Sequence, residues 1–67
     1  MDPSHAADIA DLDSASAQLQ DILGRVTQLA SGFESARVED AANDLYDVER
    51  HLTAAIRRVD SLVRRLQ

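Results

Sequence analysis

A chain of 67 residues with twelve acids, seven bases and a net charge of −5 has room for one small domain. It has no cysteine, so neither a disulfide framework nor a thiolate metal site can supplement so small a core. No apolar run approaches the roughly eighteen residues of a membrane span. The first thirty residues also lack the basic start and apolar stretch of a secretion signal, which makes a cytoplasmic protein the expectation.

The chain opens on Asp2, Pro3 and Ser4, which suit a first helical turn because proline fixes φ and acids favour the positive end of the helix dipole. Leu12, Leu19, Val26 and Phe33 then recur seven positions apart, the spacing of an apolar stripe along a helix. This first helix is predicted over about residues 3–31, with Gly32 as the left-handed residue that ends it and Phe33 covering the end. A turn over 32–35 follows, and Ser35 is the expected N-cap of a second helix over about 36–67. That helix carries a matching heptad in Val38, Leu45, Leu52, Val59 and Leu66. Glu39 and Asp40 lie in its early turns and Arg64 and Arg65 in its last, each favoured by the dipole. The prediction is an all-α fold, an antiparallel two-helix hairpin of coiled-coil type forming a single domain over residues 1–67.

With the two heptads called d, the first helix has Ala15, Ile22 and Leu29 at g and Ile9, Ser16, Leu23 and Ala30 at a. The second has Ala41, Val48, Ala55 and Leu62 at g and Ala42, Glu49, Ile56 and Val63 at a. An apolar face three positions wide exceeds the need of a two-stranded seam and suits a bundle of more helices. A two-helix domain of this length is also marginal alone, since it buries little surface against the entropy of ordering. Dimerisation into a four-helix bundle is therefore predicted. Antiparallel folding opposes Val26 to Leu45, Leu19 to Leu52 and Leu12 to Val59, and brings the c positions together as Asp11 with Arg58, Gln18 with His51 and Arg25 with Asp44. The a/e side shows no matching charges and is predicted to be the free side. Ile9, Leu23, Ile56 and Val63 are the expected self-association residues, and Glu49, the one charged a residue, is expected to set specificity.

The residues offer little for catalysis: His5 and His51 are the only histidines, no Ser/His/Asp set can be assembled, and no enzyme activity or cofactor is expected. Gly24 and Gly32 do not make a phosphate loop. Asp47 and His51 have i,i+4 spacing, too little to call a metal site. Charge is uneven: residues 1–49 hold eleven acids and two arginines, and residues 50–67 hold five arginines and one aspartate. Arg50, Arg57 and Arg64 fall at b, beside Arg58 and Arg65 at c, a stripe that could bind anions. Without lysine or interleaved aromatics it reads first as a solvated face, so neither nucleic acid nor a membrane is the expected partner. All seven bases are arginine and alanine and aspartate are abundant, the bias of a GC-rich bacterial genome. The function expected is a non-enzymatic protein–protein interaction module, a homodimeric scaffold, adaptor or regulator with a further, unidentified protein partner. The alternative is nucleic-acid or anionic-membrane binding through the arginine stripe.

Overall fold

The computed structural model describes residues 5–67. Two helices, α1 (Ala6–Ser35) and α2 (Glu39–Leu66), fold back on one another as an antiparallel hairpin measuring 52 × 14 × 10 Å. The expected start of α1 at Asp2, Pro3 and Ser4 lies outside the described residues. A compact monomer of this mass would expose roughly 4,200 Å². The hairpin exposes 4990 Å², the consequence of laying two rods side by side with no third layer.

The seam follows the heptads. The a residues Ile9, Ala30, Ala42, Ile56 and Val63 form the buried apolar core, and Ser16, also at a, is the one buried polar residue among those described. The d residues Leu12, Leu19, Val26, Leu45, Leu52 and Val59 are half-buried. Burial is deepest at a, the row that includes the small side chains Ser16, Ala30 and Ala42 and lies beside the polar links to Asp60 and Thr27. The d row sits to one side of it, and the g row beyond is turned outward.

The connection differs from the prediction. α1 runs through Gly32 and Phe33 to Ser35, and the left-handed residue is Arg37, with φ 64°. The end of α1 is closed by the Ala36 N–H donating to the Gly32 carbonyl (3.0 Å), Arg37 N–H to Glu34 (3.1 Å) and Val38 N–H to Phe33 (2.8 Å). Ser35 is spent inside α1, so α2 is capped by Val38, which makes no side-chain cap bond. Gly32 followed by helix-compatible residues does not force termination, and a glycine ends a helix only where the chain must turn. Glu39 and Asp40 occupy the first turn of α2 and Arg64 and Arg65 its last, as their charges favour.

Candidate interaction surface

The two flanks of the seam differ in chemistry. On the e flank, Ser16 Oγ donates to Asp60 Oδ1 (2.8 Å) and itself accepts from Gln20 Nε2 (3.3 Å), a short relay tying α1 to α2. Thr27 Oγ1 lies 3.1 Å from Glu49 Oε2 and 2.9 Å from the Leu23 carbonyl, so its single proton serves one of two acceptors at a time. Near the turn, the Tyr46 hydroxyl donates to Glu34 Oε2. The first two links are reciprocal: an a residue of α1 meets an e residue of α2, then the reverse. Ser16 and Thr27 are eleven positions apart (16 to 27), as are Glu49 and Asp60 (49 to 60), so both report one antiparallel register. All side-chain hydrogen bonds between the helices among the described residues run along this flank.

Among the described residues, Tyr46 is the group whose acidity its surroundings displace. Its phenol is held above the ordinary tyrosine value, first by its hydrogen bond to Glu34, then by desolvation, then by the negative charges of Glu34 and Glu49. A small cavity of about 160 Å³ beside it is lined by Glu34, Glu39, Ala42, Asn43 and Tyr46.

These contacts correct the expectation of a free a/e side. Ile9, Ile56 and Val63 are buried between the helices, and Leu23 and Glu49 are half-buried at the same seam. Ile9, Ile56 and Val63 are therefore internal to the hairpin, Leu23 lies along its seam, and Glu49 meets Thr27 of its own chain. The free apolar side is g. Ile22, Leu29, Val48 and Leu62 are 37–55% exposed, and Ala15, Ala41 and Ala55 continue the two rows between them. At the turn end, Phe33 and Val38 are also exposed, and an open apolar depression of about 270 Å³ is lined by Gln28, Leu29, Gly32, Phe33 and Ala36. Sequence reasoning named the g residues but assigned them to the core. The signal that would have separated the rows is the polar pairing available between a and e, Ser16 with Asp60 and Thr27 with Glu49, which holds the seam toward that side.

The c-row ion pairs are not formed within the hairpin. Asp11, Arg25, Asp44 and Arg58 are all exposed, and the ion pairs among the described residues join neighbours on one helix: His5 with Asp8, and Asp47 with both Arg50 and His51. On a helical wheel c lies outside g, so the two c rows border the apolar strip on opposite edges and cannot meet across it. His51 directs Nδ1 to the Asp47 carbonyl at 2.7 Å, away from Gln18. Arg57, Arg58, Arg64 and Arg65 are exposed, with no acidic partner within 4.0 Å among the described residues, while Arg50 is engaged by Asp47. Among the described residues no three metal-ligating side chains come together, and no helix is long and apolar enough to cross a membrane. Comparison of the chain with protein-family models, curated proteins and solved structures gives no match.

Proposed function

We propose that this chain is a non-enzymatic association module, a helical hairpin that pairs with a second copy to form a four-helix bundle serving as a scaffold, adaptor or regulator of another protein. The observation that carries this reading is the apolar g flank. Four large aliphatic side chains stand exposed along one side of a molecule whose other flank is closed by hydrogen bonds. A contiguous apolar strip of this kind is a common feature of association surfaces. The hairpin also lacks a fully buried large side chain among those described, so a second layer would supply the burial that two helices cannot provide for themselves.

Sedimentation equilibrium at micromolar concentration tests the reading. The expected result is a dimer for the wild type and a helical monomer for the double variant Ile22→Glu/Val48→Glu, which places two carboxylates in the strip. A wild type that stays monomeric, with a cooperative melt independent of concentration, overturns the proposal.

A further inference from the structure

The apolar strip has a relief, set by which residues of its two rows lie level. Ser16 stands opposite Asp60 and Thr27 opposite Glu49 across the seam. Counting from these contacts, Ala15 lies within about one residue of the level of Leu62, Ile22 of Ala55 and Leu29 of Val48, an offset of roughly 1.5 Å. Near the open end the large side chain is therefore on α2, one level further it is on α1, and at the third level both rows carry one. Leu62, Ile22, Val48 and Leu29 stand exposed, Ala15 is half-buried and Ala55 is exposed. Each of the first two levels thus sets a protruding aliphatic group beside an alanine gap.

A two-fold axis parallel to the helices lays α1 of one copy over α2 of the other and keeps every level. Ile22 of each copy then faces Ala55 of the other, and Leu62 faces Ala15, so that large fits against small at both levels. An axis across the helices instead lays α1 over α1 and α2 over α2. Centred on Ile22, it sets Ile22 against Ile22 and Ala55 against Ala55, one contact crowded and the other empty. Slid until Ala15 faces Ile22, it brings Leu29 onto Asp8, and a carboxylate would lose water against leucine. Slid the other way, it sets Ile22 against Leu29. The parallel axis alone places an alanine opposite both Ile22 and Leu62 without laying a carboxylate on the strip.

We infer that Ala15 and Ala55 are the sockets of the self-association surface, Ala55 receiving Ile22 and Ala15 receiving Leu62 of a second copy. The occupant is a second copy because the sockets and the side chains that fit them lie on one face at matching levels, the self-complementarity that a two-fold contact requires. The area is adequate. Helices of 28 and 30 residues at about 1.5 Å per residue are about 42–45 Å long. Two side by side present a face roughly 20 Å wide, or about 800 Å² per copy, the size of a standard specific interface. This inference rests on the proposed self-association and adds the contacts that make it specific.

Enlarging a socket tests it on the full chain, with the dimer dissociation constant as the readout. On a plain apolar surface a larger aliphatic group strengthens association, whereas in a filled socket it does not fit. Ala55→Leu should therefore weaken the dimer about tenfold or more, and Ala54→Leu, at the outward f position, should leave it unchanged. The exchange Ile22→Ala/Ala55→Ile should bind more tightly than either single change, because it conserves the volume at that level. Cross-linking identifies the facing pair. The chain has no cysteine of its own, so Ile22→Cys and Ala55→Cys each carry one thiol. Mixed and mildly oxidised, the two variants should form a disulfide-linked heterodimer. Ile22→Cys alone should not link, since the two Ile22 positions stand diagonally across the bundle, beyond the Cα separation of roughly 7 Å that a disulfide can span. Ready linking of Ile22→Cys to itself, or a tighter dimer for Ala55→Leu, overturns the sockets and leaves self-association standing. A wild-type protein that remains monomeric overturns both the inference and the reading beneath it.

Discussion

The e flank and the g flank border the same seam and meet opposite fates. Along e, short polar side chains reach across: Ser16 to Asp60, Thr27 to Glu49, Tyr46 to Glu34. Along g, beyond Asp8 at the open end, the positions carry Ile22, Leu29, Val48 and Leu62 with alanines between them and no polar group that could bridge. A hydrogen-bonded link within the chain needs specific geometry but little area, whereas apolar side chains gain only by losing contact with water. The same two helices therefore direct one flank to holding the hairpin together and leave the other for another molecule.

The largest expected effect contrasts the seam with the free flank. Ile56→Ala removes a side chain only 8% exposed and should destabilise the hairpin by about 2–4 kcal/mol. Ile22→Ala, on the free flank, should change the unfolding free energy of the monomer at high dilution by no more than about 0.5 kcal/mol, while raising the concentration needed for dimerisation. Denaturant titration at two protein concentrations separates these outcomes. Equal losses for both variants at high dilution would erase the distinction between seam and free flank.

A second experiment sharpens the comparison from the polar side. Ser16→Ala removes the donor to Asp60 and should cost about 1–2 kcal/mol, since the half-buried carboxylate loses a partner that water only partly replaces. The effect should be the same at every protein concentration, unlike that of a g substitution. A double-mutant cycle with Asp60→Ala should show coupling between the two sites.

Much of this architecture is legible in the residues. The repeats Leu12–Leu19–Val26 and Leu45–Leu52–Val59 fix two helices and an antiparallel seam, because only a seven-residue spacing keeps d on one face. What the repeats do not show is which neighbour of d is drawn inward. A face including a, d and g is compatible with rolling either way, since a and g each hold three small residues, and the choice falls to the polar links Ser16–Asp60 and Thr27–Glu49 on the a/e side. The turn was equally hard to place. Gly32 is a natural helix end, but the chain reverses at Arg37, whose left-handed backbone no side-chain rule announces. The charges at c are plain in the sequence. Their meaning changes once the structure puts them on opposite edges of the strip.

The turn yields a test of intermediate size. A methyl group added at Gly32 would meet no atom within 4 Å, and its φ is not positive, so Gly32→Ala should stabilise the hairpin by about 0.5–1 kcal/mol as a helix-interior replacement. Arg37→Gly should also stabilise it, by about 1 kcal/mol, by relieving the left-handed strain of a residue with a Cβ. If Gly32→Ala destabilised and Arg37→Gly did nothing, the reversal would lie where the sequence alone suggests, at 32–35.

The smallest effect concerns the end of the polar flank and depends on pH. The neutral Tyr46 phenol donates to Glu34, and ionising it would set a phenolate beside a carboxylate, so the folded state holds the tyrosine above its ordinary value. The sign follows: the folded state favours the protonated phenol, so this contribution to stability is fully present below the ordinary tyrosine value of about 10 and is lost as pH rises through the raised one. The chain contains one tyrosine and no tryptophan, so tyrosinate absorbance reports Tyr46 alone. Glu34→Gln should move that titration back toward the ordinary value by removing the charged acceptor, and Tyr46→Phe should slightly lower neutral stability through the lost hydrogen bond and flatten the alkaline limb of the stability curve. A titration at the ordinary value in the wild type, unmoved by Glu34→Gln, would mean that the polar flank ends at Thr27 and Glu49, and that the turn end of the hairpin is held only by its backbone bonds.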